Sequence, residues 1–166
     1  MSTRGTTTAG KMMTGALSGL GGRRRSLQAE ASSLAEVPLF AGLSKRHLRR
    51  LAELADQLHY RDGRIIVQAG LPGKAFFIIL AGRAKIYRGK LASGKPKARL
   101  GAGDYFGEMS VVDGGPRSAT VVADGPVTAL RLTRSAFLKM IGNEPTVAVE
   151  IMAGLAERLR SGAPSE

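Results

Sequence analysis

The chain has 166 residues, 43% hydrophobic and 23% charged, the make-up of one folded domain with a tail and enough length to bury a sizeable core. It has no cysteine, which excludes a disulfide framework, a thiolate metal site and a cysteine nucleophile, and no apolar run near the roughly 20 residues that span a bilayer, so a cytoplasmic protein is expected. Its net charge of +12, of which residues 1–33 carry +4, favours anionic partners such as nucleic acid, acidic protein surfaces or lipid headgroups.

Residues 1–33 are rich in Gly, Ser and Thr, with six glycines before residue 26 and the triplet Arg23-Arg24-Arg25. So few apolar groups do not offset the entropy of ordering, so this stretch is expected to be a flexible basic tail, with the folded domain running over 34–163. Its Arg/Ser/Thr bias also matches an organelle transit peptide; a short basic arm that meets a partner is the favoured reading. Gly5 to Lys11 spells the glycine-lysine part of a phosphate-binding loop. Met12 stands where a hydroxyl should hold magnesium, and only four residues precede Gly5, so the match is coincidental.

Val37-Pro38-Leu39-Phe40 leads to Ser44, a suitable N-cap for a helix from Lys45 to Gln57. Leu48, Leu51, Ala52, Leu54, Ala55 and Leu58 recur at helical spacing, while Lys45, Arg46, Arg49 and Arg50 form a solvated face. From Leu58 to Leu132 short apolar runs alternate with glycine turns. The expected strands are 64–68, 75–80, 84–88, 98–100, 119–123 and 127–132, a pattern of a sandwich or barrel. Phe76, Ile78, Ile86, Val121 and Leu130 are its expected core.

Between Arg83 and Arg99 seven Lys and Arg residues occur with no acid, which reads as a basic hairpin. Together with the basic tail it is the candidate nucleic-acid surface, although Tyr87 alone is available for base stacking.

The most informative stretch follows: Phe106-Gly107-Glu108-Met109-Ser110, then Pro116-Arg117-Ser118-Ala119-Thr120. A carboxylate accepts hydrogen bonds from a ribose hydroxyl, and a guanidinium grips a phosphate through two parallel bonds. Gly107 lets the backbone approach a ligand, and N–H groups of a following helical turn can face an anion. After it, Thr133 caps a helix expected over Arg134 to Ile141, and Pro145 suits the first turn of another. Val147, Ile151, Leu155 and Leu159 then fall on one stripe, which Ser161-Gly162-Ala163-Pro164 stops.

Gly103 to Val122 closely resembles the phosphate-binding cassette of cyclic nucleotide-binding domains, with Gly107, Glu108, Arg117, Ser118, Ala119 and Thr120 in family positions. A looser resemblance runs from about Leu34 to Leu159. It implies a mainly β fold with flanking helices: a small jelly-roll β-barrel with an N-terminal helix and C-terminal helices packed on it. It implies that Glu108 binds the ribose 2′-hydroxyl and Arg117 the cyclic phosphate. Ser118 and backbone N–H groups near Gly107 and Ala119 complete the cradle, lined further by Met109 and Ser110. The implied ligand is cyclic AMP, with cyclic GMP as the alternative, and the implied output is movement of the cassette and last helix, read by a protein partner. Base-capping residues carried farther along that helix in the family are expected to be missing here. So is a helix-turn-helix, which makes this a stand-alone sensor.

No catalytic constellation is evident, and His47 and His59 have no Asp or Glu cluster at metal-ligand spacing, so neither an enzyme nor a metal site is expected. The competing reading is a ligand-free structural or ribonucleoprotein-associated module that uses its basic surface.

Overall fold

The run Ala75 to Ala81 contains no polar side chain, and the computed structural model gives the reason: this strand is covered on both faces. The structure describes residues 26–90, 92 and 94–162; the phosphate-loop-like segment and most of the expected tail lie outside them. One antiparallel sheet has the order β1 (Asp56–Tyr60), β8 (Val127–Thr133), β3 (Ala75–Ala81), β6 (Tyr105–Phe106). The other has the order β2 (Ile65–Val67), β7 (Ala119–Ala123), β4 (Ala84–Arg88), β5 (Ala98–Leu100). The fold is mainly β with flanking helices and has the expected jelly-roll character. The two sheets are not closed into a barrel, and the edge strands β5 and β6 are only three and two residues long.

Alternation along β3 divides the core in two. Phe77 and Ile79 join Ile86, Val121 and Phe106 between the sheets, and Phe77 stacks on Phe106 at 5.1 Å. Phe76 and Ile78 join Leu130 on the helix side, where Phe76 meets Phe40 edge-on at 5.9 Å and Tyr105 at 5.5 Å. All five expected core residues are buried, but Phe76, Ile78 and Leu130 serve the helical layer rather than the space between sheets. Burying each such side chain contributes about 1.5–3 kcal/mol.

The helical layer comprises α1 (26–35), a 3-10 turn at Pro38–Phe40, α2 (Lys45–Leu54), α3 (Glu108–Asp113), α4 (Arg134–Asn143) and α5 (Pro145–Ser161). Within the stretch expected to be a flexible tail, residues 26–33 are therefore helical. Leu27, Ala31 and Leu34 form a stripe at helical spacing; Ala31 and Leu34 are buried in the helix-side core, and Leu27 packs against it. Helix α2 starts where expected, with Ser44 Oγ accepting from His47 N at 3.3 Å. It ends at Leu54 because 56–60 pair with β8 as β1. Thr133 caps α4 by accepting from Ala136 N. The α5 stripe is buried at Val147 and Ile151 but runs off the body, so that Leu159 is 80% exposed.

Candidate functional site

Gly107 joins β6 to α3 with φ +90°, a left-handed conformation that favours glycine. A side chain there would also collide with Arg117 Nη1 and the Ala75 carbonyl, so the turn and the arginine are packed as one unit. The far end of the cassette is pinned in strand-like fashion. Gly70 N donates to Arg117 O, and Arg117 N donates to Leu71 O, each at 2.8 Å. Ser110 Oγ donates to Pro116 O at 3.3 Å and packs against Gly73, so the short helix α3 and the 116–117 segment are held together.

Arg117 is buried, 6% exposed. Its Nη2 donates to Ala75 O at 2.5 Å and its Nη1 to Gly107 O at 3.3 Å, and the guanidinium lies 5.8 Å from the Phe77 ring centroid. It borders an open cavity of about 450 Å³ along β2 and β3, together with Val67, Leu71, Lys74 and Phe77.

Glu108, 4% exposed, opens α3 and lines a separate groove of about 330 Å³ between α3 and α5. Met109, Val112, Leu155 and Leu159 give that groove apolar walls, and Arg158 lies at its floor beside the carboxylate. Glu108 Oε1 is 3.4 Å from Arg158 Nη1, while Oε2 is buried without a hydrogen-bond partner among the described residues. Burial raises the Glu108 pKa above the ordinary carboxyl value; the nearby charges of Arg158 and Arg117 pull in the other direction. The two charges thus feel one another, but the groove at Glu108 and the cavity at Arg117 do not share a lining residue.

Of the remaining candidates, Met109 is exposed on the groove and Ser118 is exposed at the surface. Ala119 is buried between the sheets, so only its backbone is available to an anion. Thr120 is a strut: its hydroxyl accepts from Ala69 N at 3.1 Å and donates to Gly89 O at 2.6 Å.

Arg158 and Tyr105 belong to the site although the motif did not point to them. Gly154 lets α5 cross the 3-10 turn closely, since a side chain there would meet Leu39 backbone at 2.8 Å. One turn later Arg158 lies 4.0 Å over the Tyr105 ring, donates to Tyr105 O at 3.2 Å and reaches Glu108. A Gly-x-x-x-Arg step on the last helix was the available signal.

On the basic hairpin, Lys85 pairs with Asp124 at 2.8 Å, and Arg83 and Arg99 add to the positive field there. Lys85 holds the Asp124 carboxyl below its ordinary range. Tyr87 is half-buried, and Arg88, Lys90 and Lys95 are exposed. His47 pairs with Glu144, and His59 hydrogen-bonds Thr128 at 3.0 Å. Among the described residues there is no metal-ligand cluster and no helix long and apolar enough to cross a membrane.

The family model described as "Cyclic nucleotide-binding domain" matches residues 57–144, more than half of the chain. The chain is 34% identical over 120 residues to a cAMP-dependent protein kinase regulatory subunit of Aspergillus fumigatus, covering 72% of this chain and 28% of that protein. It is also 34% identical over 119 residues to the cGMP-dependent protein kinase egl-4 of Caenorhabditis briggsae, covering 69% of this chain and 16% of that one. It therefore spans less than a third of either relative. Among solved structures, the Thermus thermophilus catabolite activator protein matches with a TM-score of 0.66 at 35% identity, over 75% of this chain and 59% of that one. The regulatory domain of Toxoplasma gondii PKA, crystallised with cAMP, matches with a TM-score of 0.69 at 25% identity, over 83% and 51%. Family match, relatives and two-sheet architecture agree: this chain belongs to the cyclic nucleotide-binding domain family.

Proposed function

We propose that the protein is a non-catalytic cyclic nucleotide sensor, acting in the cytoplasm and preferring cyclic AMP, that regulates a protein partner through the cassette and α5. The observation that carries this reading is Glu108: a buried carboxylate with one unused oxygen, tied through its other oxygen to an arginine of the last helix. A ribose 2′-hydroxyl satisfies the unused oxygen. Because α5 already holds Glu108 through Arg158, a ligand that draws on Glu108 biases the position of α5, and a population shift follows if it favours one helix position.

Arg117 supplies the phosphate contact by exchanging its Ala75 and Gly107 carbonyl partners for phosphate oxygens. A bond to a charged group contributes about 1.5–3 kcal/mol, whereas a micromolar complex requires about 8 kcal/mol. Glu108, the backbone donors near Gly107 and Ala119, and contacts to the base must provide the remainder.

The ligand-free reading is favoured by one observation, the seating of Arg117 on two carbonyls. Calorimetry with cyclic AMP and cyclic GMP on the parent and Arg117→Ala separates the two. The sensor reading expects micromolar binding by the parent, tighter for cyclic AMP, and a loss of about 10- to 100-fold in the variant. Absence of heat and of thermal shift at millimolar nucleotide would falsify it.

A further inference from the structure

Helix α2 buries Leu48, Leu51 and Ala52 and turns Lys45, Arg46, Arg49 and Arg50 outward, four cations within two turns. These four line a groove of about 500 Å³ whose other wall is the junction of α4 and α5, with Met140, Asn143 and Glu144. It shares no lining residue with the groove at Glu108 or the cavity at Arg117. The groove already holds carboxylates of this chain. Glu144 Oε2 accepts from Arg46 Nη2 at 2.9 Å and pairs with His47, and Glu53 lies 3.6 Å from Arg50. Lys45 and Arg49 have no ion-pair partner among the described residues.

We propose that this groove docks an acidic segment of a partner protein, whose carboxylates pair with Lys45 and Arg49 and compete with Glu144 for Arg46. Arg46 and Arg50 are mostly exposed, so the internal pairs are weak and an incoming carboxylate displaces them readily. Guanidinium groups match carboxylates through paired N–H donors, whereas Glu144 takes Arg46 through Nη2 and shares the same oxygen with His47. The groove has no aromatic lining residue, so it lacks the stacking platform that single-stranded nucleic acid uses. Met140 and Asn143 instead give a peptide backbone an apolar contact and an amide. The lining of this surface is thus separate from that of the groove at Glu108 and of the cavity at Arg117.

The test is fluorescence anisotropy with a short labelled oligoglutamate peptide. Lys45→Glu/Arg49→Glu is expected to weaken binding by about tenfold, and Glu144→Gln to strengthen it about threefold. Arg88→Glu/Lys95→Glu, an equal charge change on the exposed hairpin, is expected to alter it less than about twofold. Circular dichroism melting confirms that each variant is folded. The proposal is overturned if the parent does not bind the peptide, or if Glu144→Gln has no effect. It is also overturned if the hairpin variant loses as much as the α2 variant, which makes net charge the whole attraction. Tighter binding of a single-stranded oligonucleotide, weakened by the α2 variant, overturns it in favour of nucleic acid.

Discussion

Glu108 and Arg117 stand on one short segment, yet they meet different surroundings. Arg117 faces the sheets, buried on Phe77 and bonded to two backbone carbonyls. Glu108 faces the helices, with one oxygen near Arg158 and the other unused. The guanidinium is thus part of the structure before any ligand arrives, whereas the carboxylate keeps bonding capacity in reserve. The contrast teaches that the two halves of one motif carry different structural loads: Arg117 is tied into the sheets through two carbonyls, and Glu108 to α5 through one oxygen with the other unused.

The largest expected effect that sharpens this contrast is on stability. Arg117→Ala leaves the Ala75 and Gly107 carbonyls without these donors in a buried site, which is expected to cost about 3 kcal/mol in urea unfolding. Glu108→Gln is expected to change stability at neutral pH by less than about 1 kcal/mol, because burial disfavours the ionised carboxyl more than Arg158 favours it, so a neutral side chain of the same shape gives up little. Equal losses in the two variants break the comparison.

The next effect is on pH dependence. Burial raises the folded-state pKa of Glu108, so the folded protein keeps a proton that the unfolded chain releases between the ordinary and the raised value. The contribution of this group to stability is fully present below the ordinary value and is lost as pH rises through the raised one. In Glu108→Gln that part of the decline is expected to vanish, as read from urea midpoints across the acid range. A decline of the same size in parent and variant assigns it to other groups.

The smallest effect concerns Arg158→Ala. Losing the contact with Tyr105 is expected to cost about 1 kcal/mol. Removing a cation that opposes the rise also moves the Glu108 transition to still higher pH. A titration of Glu108 by carboxyl-region NMR checks this, and an unmoved or lowered transition disconnects α5 from the carboxylate.

Strands β3, β4, β5, β7 and β8 were legible because apolar runs and glycine turns bound them, and α2 and α4 because Ser44 and Thr133 are caps of ordinary type. Strand β1 was hidden because Asp56 to Tyr60 is largely exposed and mixed in polarity, and β6 because two residues carry no period. Helix α1 was masked by the glycine-rich composition before it, although Leu27, Ala31 and Leu34 carry its stripe. The residues of the cassette were readable from their types and spacing. Their surroundings were not: Glu108 lines the groove against α5 and Arg117 the cavity along β2 and β3, with the left-handed turn at Gly107 packed on the arginine itself. The role of Arg158 depends on where α5 crosses the 3-10 turn, a tertiary contact that the step from Gly154 to Arg158 hints at but does not locate.

The most direct test of the account compares cyclic AMP with its 2′-deoxy analogue, by calorimetry, on the parent and on Glu108→Gln. If the carboxylate takes the 2′-hydroxyl, the parent is expected to lose about tenfold in affinity with the deoxy ligand, and the variant to bind the two ligands within about twofold of each other. Equal discrimination by parent and variant would contradict the account, because the hydroxyl would then be read by some group other than Glu108.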